Sequence, residues 1–240
     1  MKKVTFISDT HGAHSNLDLP GGDFLFHSGD VTMGGSYNEA LDFLKWFRKQ
    51  TQYKHRVFTP GNHDFAFDTD WRPYTLSGEH RHRCRAPLYD ETVVKEMIPD
   101  NVHYLNDSGV ELDGIKIWGS PITPWFHDWA FNRRSEINDH WEKIPVDAQI
   151  ILTHGPPYGM RDVAQNNGQH VGCPDLQRKL NYVVQPQIHS FGHIHEEYGV
   201  TEAEDNSTHY INASIMTLQY RPTNPPVVFE WDEHTNEIVW

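Results

Sequence analysis

Five times along this chain a short apolar run stops at a cluster of Asp, His, Asn and Gly. Asp9-Thr10-His11 follows the run ending at Ser8, and Gly29-Asp30 follows Phe24–Ser28. Gly61-Asn62-His63-Asp64 follows Arg56–Thr59, Thr153-His154-Gly155 follows Ile150–Leu152, and Gly192-His193-Ile194-His195 follows Ile188–Phe191. Short apolar runs bounded in this way read as buried strands. In open α/β sheets ligands bind beyond the carboxyl ends of the strands, so five loaded strand ends are five contributions to one rim.

The rest of the chain supports that frame. Val4–Ser8, Ile115–Gly119, Gln149–Thr153 and Gln187–Phe191 read as strands. Glu39–Arg48 carries Leu41, Leu44 and Trp46 or Phe47 at the spacing of an amphipathic helix. Helices are expected near Arg134–Lys143 and over Asp175–Val184. This alternation argues for an α/β fold. The tail, His209–Ala213, Val227–Trp231 and Glu237–Trp240, reads as antiparallel β structure and predicts a second, more antiparallel sheet. No repeat or linker interrupts the 240 residues, which suit one domain over 1–240. The least regular stretch, Asp68–Pro87, holds Arg72, Arg81, Arg83 and Arg85 beside His80 and His82. It reads as a solvated loop, with a phosphate-steering lid as the sharper alternative.

Charge and composition narrow the partners. A formal net charge of −13 repels phosphate backbones over much of the surface and argues against long nucleic acids. No apolar stretch is long enough to span a bilayer, and the first apolar run meets Asp9 too early for a signal peptide. Cys84 and Cys173 lie far apart with no metal spacing. A cytoplasmic chain without a membrane partner is the expectation. The sequence leaves the oligomeric state open.

Asp9, His11, Asp30, Asn62, His154, His193 and His195 are the candidate metal ligands. One residue separates Asp9 from His11 and His193 from His195, so in an extended segment each pair faces the same way. Mixed imidazole and carboxylate donors suit a pair of divalent transition-metal ions, Mn, Fe, Zn or Ni, better than Ca. Only two of the seven are anionic, so a site with two divalent ions and a bridging hydroxide stays positive and suits an anionic phosphoester. The other histidines read as structural or exposed. Among them, His27 and His189 are expected to face the core or the second sheet. Trp125, Phe126, Trp129 and Phe131 form an aromatic cluster, read as packing with substrate stacking as the alternative. Cys173 reads as a small buried residue.

The ordered series DxH, GD, GNHD, TH-G and GHIH resembles the calcineurin-like metallophosphoesterases. The resemblance implies a four-layer α/β/β/α sandwich of two mixed sheets flanked by helices. It also implies one metal on Asp9, His11, Asp30 and His195, the other on Asp30, Asn62, His154 and His193, and a catalytic His63 outside the metal shell. A metal-bridging hydroxide would then attack phosphorus while His63 serves the leaving oxygen, and Asp64 is a candidate to orient His63. Gly119-Ser120-Pro121, Trp129-Ala130-Phe131-Asn132, Thr153–Pro157, Val171-Gly172-Cys173, Phe191–Glu196 and Ile211-Asn212-Ala213-Ser214 look like the MPPED subfamily. Some of its members lack the first histidine of the fifth motif; here His193 is present, which implies full metal occupancy. The likeness implies a small phosphodiester as substrate, such as a cyclic nucleotide. Ser/Thr protein phosphatases differ: they follow GD with a segment ending Asp-Arg-Gly and carry Glu where this chain has Asp64. No Arg adjoins a ligand, the nearest candidates being Arg133, Arg134 and Arg161, which favours diesters over doubly charged monoesters. A phosphomonoesterase and a weakly active nucleotide- or metal-binding protein stay open as alternatives.

Overall fold

Side-chain alternation sets the layering. In β1 (Lys2–Ile7), Val4 and Phe6 belong to one apolar cluster and Ile7 to another, and all three are buried. A strand covered on both faces needs a layer on each side. The computed structural model describes residues 1–70, 91–134, 137–203 and 208–240. The basic residues Arg72–Arg85 and Cys84 lie outside the described residues.

After β1 come β2 (Gly22–Ser28), α1 (Tyr37–Phe47), β3 (Tyr53–Thr59), α2 (Glu91–Met97), β4 (His103–Tyr104), β5 (Ser108–Leu112) and β6 (Ile115–Ser120). The short strands β7 (Thr123–Pro124) and β8 (Asn132–Arg133) precede α3 (Ile137–Trp141) and β9 (Ile150–Thr153). Then follow β10 (Val163–Ala164), β11 (Gln169–His170), α4 (Pro174–Lys179) and β12 (Ile188–Phe191). The chain ends with β13 (Gly199–Glu202), β14 (His209–Asn212), β15 (Val227–Trp231) and β16 (Ile238–Val239).

Two six-stranded mixed sheets result, in the orders β16-β15-β1-β2-β3-β4 and β13-β14-β12-β9-β6-β5. Phe6, Phe26, Ile117, Leu152, Ile188 and Phe229 pack between them. Phe43, Leu44 and Phe47 of α1, with Leu176 of α4, belong to the other cluster, which covers the outer faces. This is the expected α/β/β/α sandwich. Helix α1 opens on a capping box in which Ser36 and Glu39 satisfy each other's backbone N–H groups.

The tail corrects one expectation. It builds no sheet of its own. β14 runs parallel to β12, whereas β15 runs antiparallel to β1 in the other sheet. β14 is buried at every position, the mark of a strand covered on both faces. The helix expected over Asp175–Val184 is also divided: α4 stops at Lys179, and Leu180–Val184 forms a π turn ending at left-handed Gln185. No helix among the described residues is long and apolar enough to cross a membrane.

His27 and His189 sit within the parallel strands. His27 faces outward onto Phe43 and Phe47, and His189 packs on Phe191 and Tyr210. Hydrogen bonds hold His27 as a neutral ring, and burial alone keeps His189 neutral. Gly29 N–H donates to His27 Nδ1, leaving Nε2–H for Thr10 Oγ1 at 2.9 Å. The Thr153 hydroxyl donates to the Gly155 carbonyl, so His189 Nε2–H must donate to Thr153 Oγ1 at 2.8 Å, and its Nδ1 is buried without a partner among the described residues. Burial pushes both pKa values down to about 3. Below the ordinary value near 6.5 the unfolded chain takes up protons that the fold refuses. Each ring should therefore remove stability as pH falls from 6.5 towards 3, by about 1.4 kcal/mol per pH unit. Denaturant melts from pH 7 to pH 5 should show a shallower loss for His189→Gln than for the parent. Parallel profiles would mean that His189 does not resist protonation.

Candidate metal centre

The five loaded motifs emerge where the parallel strands of both sheets end. Asp9 and His11 follow β1, Asp30 follows β2, and Asn62 and His63 follow β3. His154 follows β9, and His193 and His195 follow β12. The rims of the two sheets are tied together by a bridge from Ser8 to Ser214 and by the Ser28 and Ser190 hydroxyls, 2.8 Å apart. The side chains do not converge through extended alternation, as the spacing suggested. Asp9, His11, Asp30 and His193 are left-handed, with φ of 51°, 43°, 56° and 68°. Such conformations are uncommon outside glycine and cluster where surrounding structure holds a functional group in place.

Convergence is tight and ordered. His195 Nε2 lies 3.3 Å from Asp9 Oδ1 and 3.4 Å from His11 Nε2. Asp30 Oδ2 stands 3.7 Å from His11 Nε2 and 3.2 Å from His154 Nε2. His154 Nε2 lies 2.9 Å from Asn62 Oδ1, and the His154 and His193 rings are 5.0 Å apart. Asp9–His11–His195 and Asp30–His154–His193 each gather three donor atoms close enough for one cation, and His11–Asp30–His63 forms a third such group.

The donor chemistry fits divalent metals. His11, His154 and His195 each turn Nδ1 to a backbone carbonyl, of Thr32, Ser28 and Thr217, at 3.0, 3.0 and 3.2 Å. That fixes the tautomer and aims Nε2 into the cluster, the usual support of a ligating imidazole. Burial drives the His11 ring down to about 4 and the His193 ring to about 3. Burial opposes charge on His154 too, but the Asp30 carboxylate outweighs it and the ring rises to about 9. Asp9 likewise raises His195 against burial. Two buried carboxylates thus attract positive charge at the places where a cation would replace protons.

His63 is set apart by its own contacts. Its Nδ1–H donates to the Met33 carbonyl at 2.7 Å, its ring stacks on Trp129 at 4.5 Å, and its backbone N–H donates to Asp30 Oδ1 at 2.7 Å. Asp64 does not orient it. The Asp64 carboxylate is fully buried and accepts from the backbone of Val31, Thr32 and Gly61 and from the Thr32 hydroxyl. It clasps the second and third motifs together. Burial, then the negative charge of Asp30, pushes its pKa up to about 6. The aromatic loop divides between roles: Phe131 is core, Trp129 backs His63, and Phe126 is exposed beside His193. Cys173 is buried and free.

Gly192 shows how close the rims approach. A Cβ there would overlap the Asp9 carboxylate and the Ser8 hydroxyl. Gly192→Ala should destabilise the fold by about 1–3 kcal/mol, as overpacking does, and lower metal retention. If melts and metal analysis show Gly192→Ala equal to the parent, the close approach is not real.

A family model described as calcineurin-like phosphoesterase matches residues 2–197. The chain belongs to that family. Metallophosphoesterase domain-containing protein 1 of Homo sapiens is 36% identical over 231 residues, covering 93% of this chain and 69% of that one. A UPF0046 protein of Caenorhabditis elegans is 35% identical over 240 residues, covering 95% of this chain and 59% of its own. The likeness agrees with the MPPED subfamily pattern. Family and clustered donors together support a metal-dependent phosphoester hydrolase.

Two parts of this calcineurin-like site lie outside the five motifs. Asn212 Nδ2 donates to the Ile194 carbonyl at 2.8 Å and steadies the fifth motif. Its Ile211-Asn212-Ala213-Ser214 segment was noticeable as a string but carried no assignable role. Tyr220 packs on His11 and His195 at 5.1 and 5.0 Å from a loop that has no motif.

Proposed function

We propose that the chain hydrolyses small phosphodiesters, the class to which cyclic nucleotides belong, with two divalent transition-metal ions. Asp9, His11, Asp30 and His195 would hold one ion, and Asp30, Asn62, His154 and His193 the other. Bound there, the ions would supply the positive charge that activates water and stabilises the phosphoryl oxygens. The position of Asp30 supports this, since its carboxylate stands between the His11 and His154 nitrogens. His63 would serve the leaving oxygen from Nε2, because Met33 engages Nδ1.

The fate of the arginines supports the preference for diesters. A monoester carries nearly two negative charges, and fixed guanidinium groups are the usual means of holding the second. Arg161 spends its guanidinium on the carbonyls of Glu197, Tyr198 and Val200. Arg133 pairs with Asp68 at 3.5 Å, and Arg134 lies over the Trp125 ring at 3.5 Å. All three candidates brace loops. With one metal and one leaving group, kcat/KM for bis-nitrophenyl phosphate should exceed that for nitrophenyl phosphate by about tenfold, or ~1.4 kcal/mol of transition-state stabilisation. A faster monoester would make the protein a phosphatase. No turnover of either above a metal-free blank would leave a metal-binding protein.

A further inference from the structure

The donor side chains follow one another in contact, from His195 through His11, Asp30 and His154 to His193, and a half-exposed aromatic ring borders each of these two outer histidines. Tyr220 lies 5.1 Å from His11 and 5.0 Å from His195, centroid to centroid, and is 46% exposed. Phe126 lies 5.3 Å from His193 and is 39% exposed. Both rings are large apolar surfaces open to solvent beside a polar cluster. Neither is needed to fill the core.

Both rings are also held firmly. Tyr220 has φ +55°, a strained conformation for a bulky side chain. Its loop is bound to the rim at several points. Ile215 N–H donates to the Ser8 carbonyl, the Thr217 carbonyl accepts from His195, and Asn224 Nδ2 donates to the Ser214 and Met216 carbonyls. Tyr220 N–H closes the turn onto the Thr217 carbonyl at 2.8 Å. The Phe126 loop is closed at its base by Thr123 N–H to the Phe131 carbonyl and Trp125 N–H to the Arg133 carbonyl. Strain maintained by such a web, beside a reactive cluster, points to a positioned contact surface.

The Phe126 end opens into a cavity of about 490 Å³ whose lining includes Trp125, His127, Pro156, Asn166, Asn167 and His193. Its aromatic wall, with two amide side chains from the turn between β10 and β11, suits a planar group with polar edges. At the other end the Tyr220 ring offers a second flat wall. A phosphate held by the cluster would have an exposed aromatic ring beside each of the two outer histidines, one for each substituent.

Resting on the phosphodiesterase reading above, we propose that the preferred substrate class is an open-chain phosphodiester with a planar group on each ester. One arm packs on Phe126 in the cavity and the other on Tyr220. These two residues determine specificity by binding the arms and take no part in bond breaking.

The test is calorimetric binding to the manganese-loaded protein of three monoanionic diesters: diphenyl, methyl phenyl and dimethyl phosphate. Diphenyl phosphate should bind tightest and dimethyl phosphate weakest. Stacking on an aromatic ring is worth roughly a five- to hundredfold change in affinity. Tyr220→Leu and Phe126→Leu, which keep apolar bulk, should therefore each weaken diphenyl phosphate by at least about fivefold more than they weaken dimethyl phosphate. The double variant should lose both increments, and Tyr220→Phe should lose neither. Metal content and melting temperature are measured alongside. Equal affinities for the three diesters would overturn the proposal, as would a variant that weakens all three alike, which would mean that the ring only braces its histidines. Diphenyl preference without turnover of any diester would sink the hydrolytic reading and leave the two-armed site standing. Turnover of bis-nitrophenyl phosphate without that preference would do the reverse.

Discussion

On the proposed two-metal site, Asp30→Ala should strip both ions from the chain and abolish hydrolysis. Asp30 is 2% exposed and is the carboxylate shared by the two ends of the cluster. Its Oδ2 faces His11 and His154, and its Oδ1 accepts the His63 N–H. Removing it leaves the Asn62, His154 and His193 end with no anion, while the other end keeps only Asp9. Two cations bound in so buried a cluster would repel strongly, so losing the carboxylate that faces both His11 and His154 would harm both at once. Metal affinity lost with a ligand and its supporting contacts commonly falls by about 10–100-fold even when only an outer partner is removed, and loss of a bridging ligand should exceed that. The measurement is metal analysis after dialysis, with the parent carried in parallel. Asp9→Ala is the comparison: it should deplete the ion at the His11 and His195 end first. Two tightly held ions in Asp30→Ala would show that the carboxylate does not bridge.

The strands β1, β2, β3, β9 and β12 could be read from the chain because each is an apolar run that stops at a polar cluster. The placement of the tail could not be. His209–Asn212 is buried on both faces and pairs with Ile188–Phe191, a partner that no local pattern specifies. The ligands were legible as residue types, since a metal site needs particular donors wherever the backbone brings them together. How they converge was not legible: Asp9, His11, Asp30 and His193 reach the cluster through left-handed backbone, which leaves no signature when the residue is not glycine. Asp64 misled by adjacency to His63. Successive side chains diverge as the chain leaves β3, and the partners of Asp64 at Val31 and Thr32 come from the preceding strand end. Tyr220 was invisible because its role depends on a turn, closed on Thr217, that hangs it over histidines far away in sequence.

His63→Ala should keep both ions yet slow turnover by about 10²–10⁴-fold on a substrate with a poor leaving group, the usual range for a lost general acid. The ring sits 4.6 Å from His11 and 4.5 Å from Trp129, at the margin of the cluster. The Met33 carbonyl engages Nδ1, so Nε2 is the nitrogen left to exchange a proton. If its task is the leaving oxygen, the defect must follow the basicity of that oxygen. An alkoxide needs the proton; nitrophenolate departs largely without it. The ratio of parent to variant rates should therefore shrink as the leaving-group pKa falls, at constant metal content. Trp129→Leu gives an intermediate case, because it removes the stack that holds the ring and leaves the imidazole in place. A ratio that is the same across leaving groups, together with lost metal, would instead make His63 a ligand, as its closeness to His11 and Asp30 allows. A variant equal to the parent on a poor leaving group would remove His63 from the chemistry altogether.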